Sequence, residues 1–184
     1  LSFGPASVRL FGDGDAAAAA GGVFAALAVL AIYWPVLKNG FVLDDWAILD
    51  VHNVVGLGDP ALWRETLFRA QDDVSALFRP LTMLSYLLQL WTWPVVPPAF
   101  HFVNLVIHAF SVFLLVLVAH RLPAGGGRLP SILLAVACGL LYGLHPALTE
   151  PVIWITARAD LLITFLLLLA LVADRDLPEQ GWGR

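Results

Sequence analysis

Four apolar runs, separated by segments rich in proline, glycine and charge, set the pattern of this chain. A helix rises 1.5 Å per residue, so crossing the hydrocarbon layer takes roughly 20 apolar residues. Ala16 to Leu37 meets that length, with Tyr33 and Trp34 where an interfacial aromatic belt would fall. Phe100 to Ala119 meets it again and stops at His120-Arg121. Ser131 to Leu144 is about two-thirds of a crossing. It serves as a span only if its exit lies in a protein-lined recess. Val152 to Ala173 is long enough but carries Arg158 and Asp160 in its first half. Either that helix starts late, or both charges face an aqueous cavity.

The stretch 38–99 between the first two runs is too long for a mere connector. Asp59-Pro60 is a cap followed by a proline at the first helical position, and predicts a helix over Ala61–Ala70. Arg79-Pro80 opens a second, Leu81–Trp93, closed by Pro94, Pro97 and Pro98. Its Thr82, Ser85, Gln89 and Thr92 make a polar stripe, while Leu84, Leu87, Leu88 and Trp91 face elsewhere. This helix is too short to span, and the stripe predicts that it lies in the membrane surface.

Composition agrees with a membrane protein: 60% of the 184 residues are apolar and 13% charged. A soluble domain carries about a quarter charged residues. A net charge of −4 argues against nucleic acid as a partner. The single cysteine, Cys138, excludes an internal disulfide and a cysteine-based metal site. Lys and Arg fall equally on the two sides of the predicted topology, so charge does not orient it. An uncleaved first anchor fits the N-terminus better than a signal peptide, because no small-residue cleavage site follows it. A start at Leu1 and a stop soon after an apolar segment lead to the expectation of a piece of a longer protein.

Three polar clusters could carry chemistry. Asp44 and Asp45 follow the first run in a Val42-Leu43-Asp44-Asp45-Trp46 sequence. Adjacent, partly desolvated carboxylates resist double ionisation, which suits one of them to act as a general base; a solvated acidic turn is the plainer alternative. In the second run His101, Asn104, His108 and Ser111 fall within an arc of about 80° at 100° per residue. They serve either a site or a hydrogen bond to a neighbouring helix. No cofactor is defined by these residues, with a divalent cation between the histidines and the acidic pair as the open alternative. The third cluster runs from His145-Pro146 through Thr149-Glu150 to Trp154, Thr156, Arg158 and Asp160. Arg158 and Asp160 stand too close in sequence to pair along one helix face. An arginine at the bilayer edge suits a lipid phosphate, and Arg79 is a second candidate for that role.

Taken in order, Phe41–Trp46, Phe78-Arg79-Pro80-Leu81-Thr82, His101–Asn104 with His108, and His145–Glu150 running to Arg158–Leu162 resemble the transmembrane, tetratricopeptide-repeat-containing O-mannosyltransferases. The resemblance covers about residues 34 to 173. It implies an all-α membrane protein with part of a GT-C-type helix bundle, about four spans plus interfacial helices in the first extracytoplasmic loop. It further implies transfer of mannose or a related sugar, with inversion, from a polyprenyl- or dolichyl-phosphate donor to a protein Ser or Thr hydroxyl. The acidic pair would supply the base, with Asp44 preferred and Asp45 its partner or a positioning group. Arg79, His101, His108, His145, Glu150, Arg158 and Asp160 would line the substrate site. The loop would face the periplasm or the endoplasmic reticulum lumen. Leu148 stands where the family has a second histidine, and Ala157 where it often has glycine.

The domain division expected is a cytoplasmic tail over 1–15, a first span over 16–37 and an extracytoplasmic loop over 38–99. Three further membrane segments over 100–173 and a tail over 174–184 complete it. Two other readings remain at this stage. One is a transporter-like bundle in which His108, Arg158 and Asp160 relay protons, and the other is a non-catalytic membrane module.

Overall fold

A computed structural model of the protein describes residues 15–48, 58–68, 78–122 and 127–174. The expected tails 1–15 and 174–184 lie outside these residues except for Asp15 and Asp174, as do parts of the 38–99 segment. Every regular element among the described residues is helical. In chain order these are α1 (Asp15–Tyr33), α2 (Asp45–Ile48), α3 (Pro60–Phe68), α4 (Pro80–Thr92), α5 (Pro97–Arg121), α6 (Arg128–Gly143), α7 (Thr149–Ile153) and α8 (Arg158–Ala173). Single 3-10 turns, Trp34–Lys38, Pro146–Leu148 and Ile155–Ala157, extend or join them.

Three helical stretches are long and apolar enough to cross a membrane: Ala16–Lys38, Pro97–Arg121 and Ile155–Ala173. A fourth is broken, Leu129–Gly143 and Pro146–Ile153 meeting at a 53° bend. Helix α5 is the central post, packed against α1, α6 and α8. Its buried Leu105, Val112 and Val116 meet Ala25 and Val29 of α1 and Ala135 of α6 in one apolar core. Phe24, Leu27, Phe110, Leu133, Leu141, Ile163 and Leu167 are exposed. An outward face this apolar suits lipid rather than water.

The bend has a local cause. Pro146 disfavours helical geometry in the residue before it, and His145 is extended at ψ 131°. Trp154 is extended as well, at ψ 117°, so the chain between α6 and α8 advances in short pieces. Of the two alternatives for the last span, the structure shows the late start: α8 begins at Arg158.

The polar stripe of α4 faces the bundle. Thr82 and Gln89 are buried, and Ser85 and Gln89 bond to Arg158 of α8. Only Thr92 is exposed, its hydroxyl donating to the Leu88 carbonyl. The stripe is polar because it meets a buried cation, while Leu88 and Trp91 are the exposed side chains.

Close approach of α1, α5 and α6 depends on glycine, as is common between helices in lipid. A Cβ on Gly143 would stand 2.6 Å from a methyl of Val29 and 2.7 Å from one of Val112. Both neighbours are β-branched and stiff. Gly143→Ala should therefore separate these helices and cost about 1–3 kcal/mol. A lowered thermal unfolding midpoint in detergent would register this, and an unchanged midpoint would contradict the packing described.

Candidate active site

The acidic turn is built from the residues around it. The Val42 N–H donates to Asp45 Oδ2 at 3.0 Å while the Asp45 N–H donates to the Val42 carbonyl at 3.0 Å. This reciprocity resembles a capping box and opens α2. Between them Leu43 takes φ +47°, the one positive φ outside glycine among the described residues. For an L-residue that conformation costs about 1–2 kcal/mol. Phe41 braces the turn, edge-on to Trp46 at 5.5 Å and to Phe100 at 5.6 Å.

The two carboxylates are in opposite situations. Asp45 is fully buried, and its Oδ1 accepts from both the backbone N–H and the hydroxyl of Thr156, at 3.1 and 3.2 Å. Asp44 is exposed. The residues just before it, Val42 and Leu43, line a groove of about 520 Å³ together with Pro146, Thr149, Glu150, Ile153 and Trp154. The acidic turn and the α7 segment, far apart in sequence, are thus opposite walls of one recess.

Arg158 has no solvent exposure. Its Nε donates to Asn104 Oδ1 at 2.7 Å, Nη2 to Gln89 Oε1 at 2.8 Å, and Nη1 to the Ser85 hydroxyl at 3.3 Å. Nη2 also reaches the Phe100 carbonyl at 3.4 Å. The guanidinium stacks over the Tyr86 ring, 4.3 Å from its centre, where the π face attracts a cation. The same partners hold the broken backbone. Asn104 Nδ2 donates to the Trp154 and Ile155 carbonyls at 3.3 Å each, and the Tyr86 hydroxyl to Ile155 at 2.7 Å. Burial pushes the Tyr86 hydroxyl well above the usual phenol range, against the pull of the Arg158 charge.

The remaining sequence candidates are scattered over different roles. His108 is buried between Tyr33 and Tyr142, its Nε2 2.9 Å from the Gly143 carbonyl. That is the helix-to-helix hydrogen bond weighed from the sequence. His101 is buried beside Phe100, and neither ring nitrogen has a hydrogen-bond partner. His145 is exposed and accepts from the Ala147 N–H, closing the 3-10 turn. Glu150 is exposed on the wall of the groove. Arg79 and Asp160, both exposed, share a second groove of about 250 Å³ with Phe78, Thr82, Ile163 and Leu166.

Two expectations change with these positions. Arg158 does not present an open guanidinium to a lipid phosphate, because each of its three nitrogens donates to a protein acceptor and no part of it reaches solvent. The histidine–aspartate cation site does not assemble: among the described residues no three His, Cys, Asp or Glu side chains come together as a metal would need. A relay through His108, Arg158 and Asp160 finds no common path either, since His108 and Arg158 bond to separate groups and Asp160 points outward. Tyr86 is not among the residues singled out from the sequence, Thr156 stands in the third cluster without a role, and Asn104 and Gln89 stand on polar faces without the closure of both on Arg158.

Fold and site together define a helical membrane protein with an acidic turn facing a recess at a helix break. Protein O-mannosyl-transferase Tmtc1 of Drosophila melanogaster is 34% identical over 160 residues, 83% of this chain. The TMTC1 proteins of Mus musculus and Homo sapiens are 30% and 29% identical over 79% and 94% of it. The chain belongs to the family of these TMTC protein O-mannosyl-transferases. It spans 18%, 16% and 20% of their respective lengths, so it corresponds to a limited part of each. No family model and no solved structure matches it.

Asn104→Leu would leave Arg158 Nε without a partner inside the bundle and take one donor from each of the Trp154 and Ile155 carbonyls. The expected cost is about 2–4 kcal/mol, read as a fall in the unfolding midpoint in detergent; no fall would mean that Arg158 is not held as described. The Tyr86 phenol stays protonated in the fold but ionises near pH 10 once unfolded. Its contribution is complete below about pH 10 and is lost as pH rises beyond it. Tyr86→Phe should remove that part of the alkaline decline in midpoint, and an identical decline in the variant would contradict it.

Proposed function

We propose that this chain forms the acidic-turn portion of a membrane glycosyltransferase that moves mannose or a related sugar from a polyprenyl-phosphate carrier to a protein Ser or Thr hydroxyl. The observation that carries this reading is the division of labour in the acidic pair: Asp45 is buried and fully bonded, and Asp44 is exposed beside the groove. A base must reach the proton it removes, and only Asp44 is free to do so. The family relationship supports the same chemistry.

In this mechanism the acceptor hydroxyl sits at the mouth of the groove, and Asp44 takes its proton. The hydroxyl oxygen attacks the anomeric carbon while the bond from that carbon to the phosphate oxygen breaks. The phosphate departs with the electron pair, and attack opposite to it inverts the carbon. Arg79 is the candidate phosphate ligand, being exposed at the head of a groove whose other wall is apolar α8. The groove thus matches a charged head on a hydrocarbon chain, with Asp160 available to a sugar hydroxyl rather than to the phosphate. Glu150 holds the corresponding place on the first groove. The site is assigned to the extracytoplasmic face, periplasmic or lumenal.

Asp44→Asn in the intact membrane protein tests this reading. Transfer of sugar to an acceptor peptide should fall by at least about a hundredfold, the span general-base catalysis commonly supplies, with membrane insertion unchanged. Transfer at the original rate would remove Asp44 as the base.

A further inference from the structure

The hydrogen bonds of the site form one continuous chain. Arg158 binds Asn104; Asn104 and Tyr86 bind the carbonyls of Trp154 and Ile155. The next residue, Thr156, turns both its N–H and its hydroxyl onto Asp45. Asp45 holds the Val42 N–H, and between the two the backbone is kept at the strained Leu43 φ of +47°. Strain of this kind persists only where the surroundings over-determine it. The carboxylate released at the end of the chain is Asp44, which is exposed.

We infer that Thr156 is a positioning residue for the Asp44 carboxylate, and that Arg158 acts one step further back by fixing the helix break that presents Thr156. This rests on the transfer reading above, because a position matters only if Asp44 reacts. Thr156 touches neither groove lining; it acts through Asp45 and the turn. Arg158 is suited to the deeper position because its planar fork can hold acceptors from α4 and α5 at once. A lysine would carry the charge without that geometry.

The inference separates turnover from binding. In the intact membrane protein, Thr156→Val keeps the shape and the backbone bond to Asp45 but removes the hydroxyl. We expect kcat to fall about ten- to a hundredfold, as displacement of a reacting group does, with the KM for the lipid-linked sugar unchanged. Thr156→Ser restores the hydroxyl and should restore kcat. Arg158→Lys should reproduce the Thr156→Val pattern; if it does not accumulate as folded protein, the Val and Ser pair decides alone. Full kcat in Thr156→Val, while Asp44→Asn is inactive, overturns the positioning role and leaves the transfer reading standing. A loss that serine does not restore, or that only tracks the amount of folded protein, overturns it as well. Full activity in Asp44→Asn removes the reading beneath it, a distinguishable result.

Discussion

A guanidinium buried among helices with only neutral hydrogen-bonding partners is the constraint on which this structure turns. Removing a charge from water costs several kcal/mol, so Arg158 must gather acceptors wherever the fold can supply them. It draws Gln89 and Ser85 from α4, Asn104 and the Phe100 carbonyl from α5, and the Tyr86 ring. That demand docks the short helix α4 against the bundle by its polar side. It also brings Asn104 and Tyr86 to the Trp154 and Ile155 carbonyls at the break before α8, adding to the backbone bonds those carbonyls accept from Ala157 and Arg158. One cation therefore organises a short helix, a broken segment and a spanning helix.

The acidic turn depends on the same arrangement at one remove. Asp45 finds its acceptor role filled by Thr156, which the break exposes. A carboxylate so engaged tethers the turn. Asp44, next to it on a strained backbone, is exposed. Two adjacent and identical side chains thus have different surroundings because only one of them meets the break.

Length and apolarity made α1 and α5 legible, because an uninterrupted apolar run of roughly 20 residues matches the thickness of the hydrocarbon layer. Asp59-Pro60 and Arg79-Pro80 correctly announced the starts of α3 and α4, whose caps are local; the Ala61 N–H does bond to Asp59. What the α4 stripe meets was not legible, because periodicity reports which residues share a face, not what that face packs against. Its partner, Arg158, lies 69 and 73 positions from Gln89 and Ser85. The same distance hid the role of Arg158 itself: a membrane-edge arginine invites a phosphate, and nothing nearby in sequence shows four protein acceptors waiting. The choice between the two aspartates was equally long-range, since Thr156 stands 111 positions from Asp45.

The central claim is that Arg158 serves the protein and not the substrate. An experimental structure of the intact membrane protein with a lipid-linked sugar phosphate bound tests it most directly. The Arg158 guanidinium is expected within hydrogen-bonding distance of Asn104 and Gln89, with the phosphate elsewhere. A guanidinium swung away from both and bonded to the phosphate would contradict it.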